Sequence, residues 1–91
     1  MLYQCVWQYG PSPGEGFAFN NDGRGYPSES KALWHGQRER GRRMREQARD
    51  AAAHPERVRS RAKVGLTYPY PLGTLTVKPF RPSESSYLYD G

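Results

Sequence analysis

The 91-residue sequence predicts a mostly irregular α+β chain: one central basic helix, flanked by extended arms with short strands, and little core of its own. Three observations carry that reading. Charge is segregated: residues 31–63 hold eleven of the fourteen Lys and Arg against four acids, a local +7, while the remainder carries three bases against five acids, or −2. Aromatic and breaker residues are segregated the other way, with all seven Tyr and seven of the eight Pro outside that segment. Finally, only 35% of residues are hydrophobic, Ile is absent, and ten Gly join the eight Pro. Soluble domains of this size already sit near the limit at which one core outweighs chain entropy, so this composition argues against a self-sufficient globule.

Residues 1–29 form the N-terminal arm. In Leu2-Tyr3-Gln4-Cys5-Val6-Trp7-Gln8-Tyr9, strict alternation puts Tyr3, Cys5, Trp7 and Tyr9 on one face of a short strand. The run from Gly10 to Gly16 contains two prolines and three glycines and reads as a turn. Phe17-Ala18-Phe19 is then able to pair back as a hairpin, before Asn20-Asn21-Asp22-Gly23 turns again.

Residues 30–63 form the rod. Ser28 or Ser30 caps a helix whose Ala and long straight side chains extend it to about Ala53, despite Gly36 and Gly41. Pro55 interrupts it, and proline in a first turn allows a restart over 55–63. At about 100° per residue, Leu33, Met44, Ala48 and Ala51 share one side. Arg38, Arg42, Arg45 and Arg49 share the side nearly opposite, at i, i+4, i+7 and i+11. Glu39–Arg43 and Arg42–Glu46 have helix-pair spacing.

Residues 64–91 form the C-terminal arm. Two X-Pro steps in Tyr68-Pro69-Tyr70-Pro71 favour extended backbone. Thr74-Leu75-Thr76-Val77-Lys78 is the strongest strand signal in the chain, and a polar tail follows.

Nothing in this pattern asks for catalysis, a metal or a cofactor. His35 and His54 lack Cys or acid at ligand spacing, and the single Cys5 has no neighbouring base. The glycines of 10–16 and 23–25 lack the Lys-Ser/Thr of a phosphate loop, and Glu39, Glu46 and Asp50 read as salt-bridge partners of the arginines. One cysteine also excludes an internal disulfide. With no membrane span and no signal-peptide layout, the expected place is an intracellular, reducing compartment (cytoplasm, organelle or virion) without secretion.

The expectation is therefore a non-enzymatic accessory or structural subunit that docks on and stabilises a larger assembly. Arg38, Arg42, Arg45 and Arg49 would meet an acidic protein surface, and Trp7, Trp34, Tyr68, Tyr70 and Tyr87 would anchor as aromatics, with Leu33 and Met44 in apolar contact. Two other readings stand beside it. In one, the arginines meet phosphates and the chain is a peripheral RNA-binding ribosomal protein. In the other, it is a phage-type inhibitor that grips one host protein through the hairpin and the strand at 74–78.

Overall fold

The computed structural model of the protein describes residues 1–12 and 14–82; Tyr87 lies outside them. The chain is mixed α+β. Strands β1 (Leu2–Gln8) and β2 (Gly16–Phe19) form a hairpin, helices α1 (Glu29–Ala53) and α2 (Pro55–Lys63) follow, and β3 (Thr74–Phe80) returns to the sheet. The sheet is antiparallel throughout, in the order β2-β1-β3. Its central strand is thus the first one, and its two partners come from opposite sides of the basic segment.

Register explains which residues these strands tolerate. Cys5 lies opposite Phe19 in β2 and Val77 in β3, and Trp7 opposite Phe17 and Leu75. Side chains of one parity therefore gather on one face: Tyr3, Cys5, Trp7, Phe17, Phe19, Leu75 and Val77. Tyr3 exchanges backbone hydrogen bonds with Tyr26 on the β2 side, at 2.9 and 2.8 Å. The odd positions of β1 consequently bond toward β2 and the even ones toward β3. It follows that Thr74, Thr76, Lys78 and Phe80 bond β1, while Leu75, Val77 and Pro79 turn their backbone outward. Pro79 has no N–H to give, and it sits where the sheet does not need one.

α1 starts where the sequence signals it. The Ser28 hydroxyl accepts from the Lys31 amide at 3.2 Å, Glu29 places a negative charge in the first turn, and the helix stops at Ala53, two residues before Pro55. Its sheet-facing line is Ala32 and Gly36, both buried, continued by Arg43 and Gln47. Gly36 sits over Cys5, and a Cβ there would overlap the cysteine's Sγ and Cβ. The absent side chain lets helix and strand approach directly.

At about 1.5 Å per residue α1 is roughly 37 Å long, whereas a seven-residue strand spans roughly 23 Å. The overhang is met by α2 and the segment leading to β3. Gln47 Oε1 accepts from the Tyr70 amide at 2.7 Å. Asp50 accepts from the Tyr68 hydroxyl and pairs with Arg57 at 2.6 Å.

The core departs from the sequence expectation. Cys5, Trp7, Phe19, Tyr26 and Ala32 are buried together, with Tyr9, Phe17, Met44, Tyr70, Leu75 and Val77 packed against them. Trp7 has no exposed surface, and its Nε1 donates to the Leu72 carbonyl at 2.8 Å. Tyr9 and Tyr70 stack with ring centroids 4.1 Å apart, and Phe17 stacks on Trp7 at 5.7 Å. Such pairs contribute about 0.5–1.5 kcal/mol each beyond the area they bury. The flanking segments, expected as separate extended arms, are instead joined as one sheet and one aromatic cluster. Few aliphatics are present because rings from both segments do their work.

Candidate docking surface

The face of α1 that the sheet does not cover is the most sharply defined chemical feature of the chain. Once Gly36 is fixed over Cys5, helical geometry dictates the rest. Residues two or five positions away from the buried line fall on the far side, and these are Arg38, Arg42, Arg45 and Arg49. All four are exposed. The row extends toward the helix start through Trp34 and Lys31, also exposed. Arg38 lies over the Trp34 ring, 5.5 Å from its centroid.

The four arginines are not equivalent. Arg42 pairs with Glu39 at 2.7 Å and with Glu46 at 2.8 Å. Its hydrogen bond to Glu39, helped by the charges of both acids, holds its proton more firmly. The same bond lowers the Glu39 pKa against the opposing effect of burial. Among the described residues no ion pair involves Arg38, Arg45 or Arg49. These three are open to an anionic ligand, whereas Arg42 must first give up two acids.

The remaining arginines of α1 belong to the fold. Arg43 is turned onto the sheet, its guanidinium 4.4 Å from the Phe17 centroid and 5.8 Å from that of Phe19, with Nε buried and without a hydrogen-bond partner. Arg40 donates to the Leu72 carbonyl at 3.3 Å. From sequence they are indistinguishable from the outer row except by phase. The phase is set by Gly36 against Cys5, and composition alone counts that glycine as a helix weakness rather than as a contact.

The sequence-predicted aromatic anchors divide. Trp7 is enclosed in this chain's own core, and Tyr68 and Tyr70 are half-buried against Asp50, Arg61, Tyr9 and Trp7. Of the anchors among the described residues, only Trp34, 52% exposed, presents a ring to solvent beside the arginines. Tyr87 lies outside the described residues. Of the apolar helix positions, Leu33 is 37% exposed, while Met44 packs on the core and is half-buried.

Two open clefts of about 360 Å³ also mark the surface. One lies between the β1–β2 turn and the segment after α2, beside Tyr9, Glu15, Arg61 and Tyr70. The other lies between the 20–26 turn and α1, beside Asp22, Tyr26, His35, Glu39 and Arg43. Burial raises the Tyr9 and Tyr26 hydroxyl pKa values, and Tyr70 and Glu39 respectively add to the effect. Among the described residues lining them, neither cleft contains a Ser, Thr or Cys hydrogen-bonded to a base. Among the described residues, no three of His, Cys, Asp and Glu come together as a metal site, and no helix is long and apolar enough to cross a membrane. Burial likewise raises the Cys5 thiol pKa, against a smaller lowering by Arg40.

Comparison of the chain with protein-family models, with curated proteins and with solved structures gave no match.

Proposed function

We propose that this protein is a non-enzymatic accessory subunit that docks on a larger assembly through the outer face of α1, with the arginine row seated on an acidic surface. The observation that supports this best is the division of labour along α1. Arg40 and Arg43 serve the fold, whereas Arg38, Arg45 and Arg49 stand in line on the opposite side and form no ion pair among the described residues. Solubility needs charges of both signs interspersed, not a one-sided file. Arginine also suits bidentate capture of carboxylates. Among the described residues, the flanking aromatics Trp7, Tyr9, Phe17 and Tyr70 pack on one another in this chain's own core, so the docking proposed here rests on the helix and Trp34.

The test uses poly-glutamate as an acidic probe, followed by protection of Trp34 from an ionic quencher. Trp7 is enclosed, so the quenchable emission reports on Trp34. Wild type is expected to bind with an affinity that falls as salt rises. Single exposed pairs contribute about 0.2–1 kcal/mol, and reversal adds repulsion, so Arg45→Glu with Arg49→Glu should weaken binding about tenfold or more. Arg42→Glu alone should cost less, because Glu39 and Glu46 already engage it. Unchanged affinity in the double variant would show that the row is only solvated.

A further inference from the structure

We infer that the partner surface is an acidic amphipathic α-helix of another protein, laid along α1 beside the arginine row. This rests on the docking role proposed above and narrows it to one class of partner.

The two borders of the row differ. On one side stand Glu39 and Glu46, both engaged with Arg42. On the other side the helix is uncharged and open: Gln37, Ala48 and Ala52 are exposed, Gly41 lies between them, and Trp34 and Leu33 add exposed apolar surface at the N-terminal end. The cations therefore form a single file along the edge of a neutral strip. A nucleic-acid groove presents phosphates on two walls, and Glu39 and Glu46 would face one of them. An acidic amphipathic helix instead presents one carboxylate row beside an apolar seam, at the same spacing of three and four residues that this face carries. Row meets row and seam meets strip, with Trp34 and Leu33 as the apolar contacts.

Gly41 supports the same geometry. A Cβ at Gly36 would collide with β1, but at Gly41 the only neighbour within 4 Å among the described residues, outside the helix's own backbone, would be Arg45 Nη1, at 3.2 Å. Gly41 thus weakens the helix with no return in this chain's own packing. A side-chain-free position next to the arginines is where a second helix approaches most closely, since interaxial distance is set by the side chains at the contact.

The experiment compares three probes at about 0.15 M ionic strength: a synthetic helix of about 21 residues with a Leu/Ala seam bordered by Glu, poly-glutamate of matched charge, and an RNA duplex. The full chain is expected to bind the acidic helix about tenfold or more tighter than either other probe. Gly41→Leu adds bulk to the strip without altering charge. It should weaken the helix by about tenfold while changing poly-glutamate binding much less, since the flexible Arg45 tip beside it can swing aside and keep its charge on the row, and Gly41→Ala should keep helix binding. Thermal melting of both variants confirms that they fold. Equal binding of the helix and poly-glutamate, tightest binding of the RNA, or indifference of a folded Gly41→Leu to the helix would each overturn the inference. A chain that binds no anionic probe, or whose Arg45→Glu, Arg49→Glu form binds all three like wild type, would overturn the docking role itself.

Discussion

At the scale of residues, two glycines in one helix do opposite things. Gly36 lies against Cys5 with no room for a methyl group, whereas Gly41 faces open space apart from a flexible arginine tip. In an isolated helix, replacing either by Ala gains about 0.5–1 kcal/mol. Gly41→Ala should show that gain as a higher denaturant midpoint. Gly36→Ala should lose stability, because overpacking at a helix–strand contact costs about 1–3 kcal/mol and outweighs the propensity term. Equilibrium denaturation of the two variants checks both signs, and a stabilised Gly36→Ala would mean that α1 does not rest on β1 there. The sequence shows two helical glycines and nothing that tells them apart, because the difference lies in a strand some thirty residues away. Gly36 also fixes the phase of α1, and so decides which arginines are outside. The apolar line read from Leu33, Met44, Ala48 and Ala51 misses the buried line of Ala32 and Gly36, since neither of those carries a large apolar side chain to reveal it.

At the scale of elements, the segment from Asp50 to Tyr70 works as a latch on the overhanging end of α1. Asp50 joins three elements: it belongs to α1, pairs with Arg57 of α2, and accepts from Tyr68 of the following segment. Its pKa is lowered from the ordinary 3.8, first by the Tyr68 hydroxyl and then by Arg57, against the effect of burial. The sign follows from linkage: a carboxyl with a depressed folded-state pKa stabilises the latch above its ordinary value, and that stability is lost as pH falls through the depressed one. Below pH 3.8, therefore, the Tyr70 amide, held by Gln47, should lose hydrogen-exchange protection before the amides of β1 do. Asp50→Asn should weaken that protection at neutral pH and remove the acid step. If the acid step survives in Asp50→Asn, the latch is held by something else. α1 and α2 were legible in the sequence, with Ser28 as one of two candidate caps and the break at Pro55, because caps and prolines act locally. The latch was not, because Tyr68 reaches Asp50 across 18 residues and Tyr70 reaches Gln47 across 23.

At the scale of the whole molecule, β3 decides whether there is a fold at all. Each strand could be read from its own alternation, and Thr74–Lys78 was the clearest of them, but pairing cannot be read that way. β1 meets β3 across about seventy residues of chain, and such contacts form only after the closure entropy of everything between them is overcome. What offsets it is the aromatic cluster, with Trp7 capped by the Leu72 carbonyl 65 positions away and Tyr70 stacked on Tyr9. Ending the chain at Gly73 removes β3, and with it Leu75, Val77 and Phe80, each worth up to about 1.5–3 kcal/mol when fully buried. Set against a total stability of about 5–15 kcal/mol for an ordinary domain, that loss is decisive. A two-stranded hairpin with one helix is then left to cover Trp7, and such hairpins are marginal in water. The full chain should therefore unfold in one cooperative thermal transition, with Trp34 open to acrylamide and Trp7 closed to it. The chain ending at Gly73 should show no sharp transition, and both tryptophans should be quenched alike. A truncated chain that still melts sharply with one protected tryptophan would show that the hairpin and α1 suffice for the core. β3 would then be an added edge rather than the strand that closes the fold.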